Sequence, residues 1–188
     1  MRSILVPVKS FRQAKLRLAG VLDDQRRVSL ARELAQRVVA AARPAPTFVV
    51  CDDGEVADWA VVNRASVLYA PGVGLSPAVE AGVAYLSQHG FSLAVVAHSD
   101  LPLAENLAAF GEEGEITLAP DGRLDGTNVL AVPTTIGFHF SYGPRSFDRH
   151  LVEAQRLGVP YKVVRDVKLS TDIDVPGDLA VLVEGGSR

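Results

Sequence analysis

Ser92-Leu93-Ala94-Val95-Val96-Ala97-His98-Ser99-Asp100 carries the clearest information about how the chain folds. A mostly apolar run at 92–97 changes abruptly to polar residues, which is typical of a buried strand whose carboxyl end reaches a ligand-binding edge. The preceding segment, from Ser76-Pro77 to about Gln88, predicts a helix, because serine caps helices and proline suits their first turn. A strand that follows a helix in this way indicates a crossover connection in a parallel sheet.

The same alternation extends back to the amino terminus. Residues 24–42 repeat apolar side chains every three or four positions, which predicts a helix with one buried face that Pro44 and Pro46 end. Short apolar runs predict further elements, namely strands at residues 4–8, 48–51 and 66–70 and a short helix at 56–62. This order of elements predicts an α/β fold with a mostly parallel central sheet and helices on both of its faces.

The second half of the chain has a different pattern. Two β-rich runs, at residues 115–119 and 128–132, flank Asp121-Gly122, which predicts a hairpin or a small antiparallel extension of the sheet. Residues 146–157 predict a helix that Gly158 closes, and Pro176 begins a last short helix. We expect a single domain over residues 1–184 and a flexible tail at 185–188.

Composition limits the classes of function. The chain has 188 residues, 48% of them hydrophobic and 22% charged, with a formal net charge of -3, which is the balance of a soluble globular protein without a nucleic-acid partner. Its single cysteine, Cys51, excludes an internal disulfide and suits a reducing compartment. The apolar run at the amino terminus is too short for a signal peptide or a membrane span. We expect a cytoplasmic protein with no membrane partner.

A basic loop follows the first predicted strand. Four cationic residues lie within nine positions: Lys9, Arg12, Lys15 and Arg17. Ammonium and guanidinium groups at this edge of the sheet could neutralise the oxygens of a triphosphate, although a solvated surface loop has the same composition. The loop lacks the G-x-x-x-x-G-K-[ST] pattern of a P-loop, and the chain lacks the G-x-G-x-x-G pattern of dinucleotide sites.

Three aspartates are candidates for a metal site. Asp100 follows the strand at 92–97, and Asp172 and Asp174 are separated by one residue, so that an extended backbone points both to the same side. Like charges in that arrangement repel unless a cation lies between them, and carboxylates are the ligands that Mg²⁺ prefers. The alternative is that these residues cap helices, Asp100 the next one and Asp174 or Asp178 the last one. We interpret His98 as a structural residue rather than a ligand.

Glycines and small hydroxyl residues mark two further segments. Pro71-Gly72-Val73-Gly74-Leu75-Ser76 precedes a helix, where the backbone could approach a base edge, although an ordinary turn would have the same sequence. Leu124-Asp125-Gly126-Thr127-Asn128 and Tyr142-Gly143-Pro144-Arg145-Ser146-Phe147 suit a phosphate or carboxylate held by amides and hydroxyls. Ser146 also predicts a helix cap, and turn and cap chemistry alone would account for each piece.

Together these segments resemble the 2-phospho-L-lactate and phosphoenolpyruvate guanylyltransferases of deazaflavin coenzyme F-420 biosynthesis. The matching segments follow the family's order over nearly the whole chain: Val6-Pro7-Val8-Lys9 with Ala14-Lys15-Leu16-Arg17-Leu18, Ser99-Asp100-Leu101-Pro102-Leu103, Asp125-Gly126-Thr127-Asn128, Tyr142-Gly143-Pro144-Arg145-Ser146-Phe147, and Asp172-Ile173-Asp174-Val175-Pro176-Gly177-Asp178-Leu179.

The resemblance implies a nucleotidyltransferase fold (GT-A-like, Rossmann-like) and a role for each segment. The implied roles are Mg²⁺ binding by Asp100, Asp172 and Asp174, acid binding by Thr127, Gly143 and Ser146, triphosphate binding by Lys9, Lys15 and Arg17, and guanine contact by Gly74, Leu75 and Ser76. In this reading Asp100 and the three cations are the catalytic residues. Two positions depart from the family, since Ser76 replaces its usual asparagine and Tyr142 its frequent phenylalanine.

The implied reaction transfers the GMP part of GTP to the phosphate of a small phosphorylated three-carbon acid and releases pyrophosphate. Phosphoenolpyruvate and 2-phospho-L-lactate are the favoured acids, and 3-phosphoglycerate stays open. We also expect a homodimer and delivery of the product to a downstream deazaflavin transferase. The alternatives are a molybdenum-cofactor or sugar-phosphate nucleotidyltransferase of the same fold, and a non-catalytic nucleotide-binding protein.

Overall fold

The computed structural model describes the backbone of residues 1–184, so the predicted tail at 185–188 lies outside the described residues. The seven strands are β1 (Arg2–Pro7), β2 (Thr47–Cys51), β3 (Ser66–Tyr69), β4 (Leu93–Ala97), β5 (Ile116–Pro120), β6 (Thr127–Pro133) and β7 (Tyr161–Val163). The α-helices are α1 (Asp24–Ala41), α2 (Gly54–Val62), α3 (Leu75–Gln88), α4 (Ser146–Leu157), α5 (Val167–Ser170) and α6 (Ala180–Glu184). Short 3-10 turns cover Phe11–Gln13, Leu16–Leu18, Leu107–Ala109 and Pro176–Leu179.

All seven strands belong to one sheet, in the order β3-β2-β1-β4-β6-β5-β7. β1 pairs in parallel with β2 and β4, and β2 pairs in parallel with β3. β6 runs antiparallel to both β4 and β5, and β7 pairs in parallel with β5. The predicted mostly parallel α/β sheet is therefore confirmed, and so is the antiparallel extension.

Two apolar cores lie on opposite faces of this sheet, because successive residues of a strand point to opposite sides. Ile4 and Val6 pack in one core with α1 and α2, whereas Leu5 packs in the other with α3 and α4. The buried strand residues are flanked on each face by apolar helix positions. Helices on both faces were predicted from the alternation of elements and are confirmed.

Two predicted helix caps are wrong. Helix α3 begins at Leu75, and its cap position is occupied by Gly74. The backbone of Gly74 has a φ of 79°, a conformation that glycine adopts most readily. Ser76 lies inside the helix, and its hydroxyl accepts a hydrogen bond from the Tyr142 amide at 2.9 Å. Helix α4 is capped by Arg145, and the hydroxyl of Ser146 accepts from the Thr127 amide at 3.1 Å instead of capping. Both serines thus connect separate segments.

The carboxyl-terminal segment packs against α1. Ile173 is fully buried in a third apolar cluster with Leu18 and Leu34. The capping role at the turn that begins with Pro176 belongs to Asp178, whose carboxylate accepts from the amides of Asp174 and Val175 at 2.8 Å each. The side chain of Asp174 is therefore left available for other contacts.

Among residues 1–184, no helix is both long enough and apolar enough to cross a membrane.

Candidate active site

The candidate site lies where the order of strands changes direction. β1 has β2 on one side and β4 on the other, so the segments that follow β1 and β4 diverge at this point of the sheet edge. Ligands of open α/β sheets bind in the crevice that such a divergence creates. A cleft of about 450 Å³ opens here, and its lining includes six of the predicted site residues: Lys9, Lys15, Arg17, Leu75, Asp100 and Asp174.

The three predicted metal ligands lie together beside this cleft. One carboxylate oxygen from each of Asp100, Asp172 and Asp174 lies within 4.8 Å of the other two. Ile173 is buried between the two later aspartates, and its amide donates to the Asp100 carbonyl at 3.3 Å. Burial of this one residue directs the side chains on either side of it toward Asp100, as the extended spacing predicts.

The titration behaviour of these carboxyls reflects their crowding. Burial, reinforced by repulsion from the Asp100 carboxylate, raises the pKa of Asp172 to about 6. Burial also acts to raise the pKa of Asp100, but the Lys15 ammonium outweighs it, so that this pKa lies below its ordinary value. One oxygen of Asp100, Oδ1, is buried and has no hydrogen-bond partner within the described part of the chain. An unpartnered buried carboxylate oxygen in an acidic cluster fits a cation site.

Two residues of the basic loop neutralise the carboxylates in this structure. The Lys15 ammonium, only 8% exposed, donates to Asp100 at 2.6 Å and to the Ile173 carbonyl at 2.5 Å. The Arg17 guanidinium donates to Asp174 at 2.8 Å. Lys15 has a left-handed backbone with a φ of 56°, which is strained for a residue with a side chain. The loop therefore holds its cations against the carboxylates at some conformational cost.

A second cleft of about 330 Å³ adjoins the first. Both are lined by Pro7, Val8 and Lys9, and the second extends along α3 to Gly72 and Gly74. Its further lining includes groups that could meet a base edge: Cys51, Asp52 and Ala70. Ser76, predicted with Gly74 and Leu75 to lie near guanine, lines neither cleft, because its hydroxyl faces Tyr142.

The predicted acid-binding residues form a separate cluster. The structure brings Thr127 against Ser146 through their 3.1 Å hydrogen bond, and the Gly143 carbonyl accepts from the Ser146 amide at 3.0 Å. Thr127 and Ser146 are almost fully buried, and none of the three residues lines the two clefts. The cluster is connected to the first cleft through the Tyr142 ring, whose centroid lies 5.1 Å from that of His98, a residue that lines the cleft.

His98 lies in the candidate site, although the sequence analysis interpreted it as a structural residue. It lines the first cleft, and its Nε2 atom is buried without a hydrogen-bond partner among residues 1–184. Burial lowers the pKa of its imidazole, which keeps the ring neutral. Its position directly after a buried strand was the available signal, the same one that identified Asp100.

A comparison with family models decides the family. All of residues 1–188 match the family described as guanylyl transferase CofC like. The chain belongs to this family. Two relatives are a phosphoenolpyruvate guanylyltransferase from Rubrobacter xylanophilus, 37% identical over 97% of this chain and 93% of the relative, and a 2-phospho-L-lactate guanylyltransferase from Archaeoglobus fulgidus, 35% identical over 98% and 84%.

Solved structures support the fold of this guanylyl transferase family member. A nucleotidyl transferase from Methanothermobacter thermautotrophicus has a TM-score of 0.70 at 17% identity, covering 98% of this chain and 97% of that one. A cytidylyltransferase from Leptospira borgpetersenii has a TM-score of 0.59 at 14% identity, covering 96% and 84%. At such identities the likeness concerns the fold alone, and it confirms the predicted nucleotidyltransferase fold.

Proposed function

We propose that this protein is a Mg²⁺-dependent guanylyltransferase that joins the GMP part of GTP to the phosphate of a small phosphorylated three-carbon acid and releases pyrophosphate. The observation that carries the proposal is that Asp100, Asp172 and Asp174 lie together beside one cleft, where Lys15 and Arg17 pair with two of them. Clustered carboxylates and cations at a sheet edge are what transfer between two polyanions requires. Both relatives named above carry guanylyltransferase names.

Asp100, Asp172 and Asp174 would hold the metal. When bound there, Mg²⁺ would neutralise triphosphate oxygens and the charge that develops during transfer. The unpartnered oxygen of Asp100 supports this proposal, and so does the repulsion from Asp100 and Asp174 that adds to burial in raising the pKa of Asp172, since a cation between the carboxylates would relieve it.

Lys15 and Arg17 have two alternative sets of anions to bind. In the structure they pair with Asp100 and Asp174. When a metal takes over those carboxylates, the two cations become free to bind the phosphates of GTP, together with the exposed Lys9. The basic loop would therefore exchange carboxylate partners for phosphate partners when substrate binds.

The transfer step needs no general base, because the phosphate of the acid is already an anion near neutral pH. One of its oxygens forms a bond to the α-phosphorus of GTP, and the bond from that phosphorus to the pyrophosphate oxygen breaks. The leaving pyrophosphate keeps the electron pair, and Lys9, Lys15 and Arg17 would stabilise its charge. Thr127, Gly143 and Ser146 would hold the acid, and Gly74 and Leu75 would lie near guanine.

Three broader expectations belong to the same proposal. The enzyme acts in the cytoplasm, forms a homodimer, and passes its product to a deazaflavin transferase of the F-420 pathway. Which acid it accepts is part of the test below, because phosphoenolpyruvate, 2-phospho-L-lactate and 3-phosphoglycerate share a phosphate and a carboxylate and differ in the carbons between them.

The experiment is a pyrophosphate-release assay with purified protein, Mg²⁺, and each of the three acids in turn. We expect release with GTP and at least one acid, little with ATP or CTP, and none when a chelator removes the metal. Absence of release with every acid would falsify the proposal. Stabilisation of the protein by GTP in a thermal-shift measurement without turnover would instead identify a nucleotide-binding protein.

A further inference from the structure

His150 is a fully buried histidine on α4 that contacts both parts of the predicted acid site. The Ser141 amide donates a hydrogen bond to its Nε2 atom at 2.9 Å. Its Nδ1 atom lies 3.0 Å from the Thr127 hydroxyl oxygen. One ring thus connects α4, the first residue of β6 and the segment that leads to Gly143.

The two hydrogen bonds determine the tautomer. A backbone amide can only donate, so Nε2 must accept and therefore carries no proton. In a neutral imidazole the proton then resides on Nδ1, which donates to the Thr127 hydroxyl oxygen. Burial lowers the pKa of His150 to about 4, which keeps the ring neutral near pH 7.

This tautomer leaves two buried hydroxyl hydrogens without an acceptor. Thr127 uses its oxygen to accept from His150, and Ser146 uses its oxygen to accept from the Thr127 amide. Within the described residues, neither hydroxyl donates a hydrogen bond, although both side chains are almost fully buried. Buried donors normally have a partner. Two adjacent O–H donors are suited to an anionic oxygen.

Ring contacts connect the surroundings of the hydroxyl pair with the cleft that His98, Asp100 and Asp174 line. The Tyr142 ring lies between the rings of His98 and His150, with centroid distances of 5.1 Å and 4.9 Å. The Tyr142 amide is held by Ser76 on α3, and its neighbour Ser141 is held by His150. The segment between the hydroxyl pair and the cleft is therefore fixed from both sides.

We propose that His150 is a positioning residue that orients the hydroxyl of Thr127, so that it and the neighbouring hydroxyl of Ser146 form paired hydrogen-bond donors to an anionic group of the phosphorylated acid. This inference rests on the proposed function and adds a residue to it. His150 itself does not contact the acid. It acts through Thr127, and its bond to the Ser141 amide keeps the neighbouring segment in place.

Two substitutions separate the two hydrogen bonds. The amide of His150→Asn lies near the position of Nδ1 and can still donate to Thr127. The amide of His150→Gln lies near the position of Nε2, where it can accept from Ser141 but leaves Thr127 without its donor. The two variants are thus matched in polarity and differ in the bond that they keep.

Steady-state kinetics with the active acid is the test. For His150→Gln we expect the KM for the acid to rise about tenfold or more, the effect of one lost hydrogen bond, while the KM for GTP and kcat change little. His150→Asn should recover most of the acid affinity. An unchanged KM for the acid in His150→Gln, or equal losses for acid and GTP in both variants, would overturn the proposal.

A spectroscopic measurement keeps the inference testable if the variants fold poorly. Long-range ¹H–¹⁵N NMR spectra of the wild-type protein should show His150 protonated at Nδ1 and not at Nε2, and the opposite tautomer would overturn the proposal. If the wild-type protein releases no pyrophosphate, the proposed function fails separately. Titration with each acid in the presence of GTP then decides the role of His150, whose NMR signals should shift with at least one acid and would stay unchanged if the inference is wrong.

Discussion

The Lys15 ammonium occupies space in which a metal ion bound by Asp100 and Asp174 would lie. This ammonium contacts Asp100 at 2.6 Å and lies 3.8 Å from Asp174, so that it competes with any ion for the same oxygens. That the basic loop meets phosphates stays a prediction, and in the structure its residues Lys15 and Arg17 pair with Asp100 and Asp174. The reason is electrostatic, because unpaired carboxylates this close together would repel one another.

Replacing this lysine should strengthen metal binding in the absence of nucleotide. For Lys15→Met we expect the affinity for Mg²⁺ alone to rise about tenfold or more, since a unit charge at about 4 Å acts with about 4 kcal/mol at an effective dielectric of 20. Thermal-shift titrations with Mg²⁺ measure this effect. Arg12→Met is the control, because Arg12 is exposed and pairs with Glu55 outside the acidic cluster. Equal Mg²⁺ shifts in Lys15→Met and wild-type protein would contradict the competition.

Removing one carboxylate should abolish turnover while the fold persists. We expect Asp100→Asn to lower kcat on the order of 100- to 1000-fold, as for other lost electrostatic groups in active sites. The matched control is Asp58→Asn, since Asp58 is exposed on α2. Pyrophosphate release together with circular dichroism checks both variants. Wild-type rates in Asp100→Asn would remove this residue from the site.

Among the elements, β6 is buried along its whole length. It pairs with β4 and β5 on its two sides, and all seven of its residues are buried. Gly111 lies directly over it, with a φ of 79°, and a methyl group at this position would overlap the Cβ of Ala131. The segment before β5 can approach the sheet this closely only through a glycine.

A pair of glycine substitutions should measure that close approach. Gly114 also has a positive φ, of 83°, but a methyl group there would meet nothing within 4 Å. We expect Gly114→Ala to lower the free energy of unfolding by about 1 to 2 kcal/mol through backbone strain alone. Gly111→Ala should cost about 1 to 3 kcal/mol more, because it adds overpacking. Urea unfolding measures both, and equal losses would show that the sheet yields at Ala131.

Element boundaries illustrate what local sequence can predict. Helix α1 was expected at residues 24–42 and covers Asp24–Ala41, because its apolar period and the following prolines are local properties. β7 was not predicted, since Tyr161–Val163 has only three residues and the middle one is the charged Lys162. This strand forms because the chain, after α4, reaches the side of β5 that β6 does not occupy and pairs with it in parallel. No local sequence pattern contains information about that pairing.

For the whole molecule, the fully buried His150 and the partly buried Asp172 act in opposite directions on stability below pH 7. The pKa of His150 is lowered from 6.5 to about 4, so as the pH falls the unfolded chain takes up this proton first, and stability is lost between about pH 6.5 and 4. The pKa of Asp172 is raised from 3.8 to about 6, so here the folded protein takes up the proton first, and stability is gained between about pH 6 and 4. Each of the two pKa shifts changes the free energy of unfolding by about 3 kcal/mol over its pH range, since one pKa unit corresponds to about 1.4 kcal/mol.

The two contributions should separate in variants. Wild-type stability is expected to change little between pH 7 and 4.5 on account of this pair, whereas His150→Gln should gain stability relative to wild type as the pH falls, and Asp172→Asn should lose it. Urea unfolding at several pH values checks the three proteins side by side. Parallel pH profiles for all three would show that neither group titrates as its surroundings imply.

Local sequence patterns predict the alternation of strands and helices as far as β4, the mostly parallel sheet, and the set of aspartates and cations at its edge. These follow from hydrophobic periodicity and from the rule that chemistry collects at the carboxyl ends of strands. How those groups pair depends on contacts that exist only in the folded chain. In the fold, Lys15 forms an ion pair with Asp100. Ser76 and Ser146 form hydrogen bonds to distant segments instead of capping their helices. His150 is buried between Ser141 and Thr127. The physical reason is that a hydrogen bond or an ion pair depends on the position of a partner distant in sequence, which no local pattern contains.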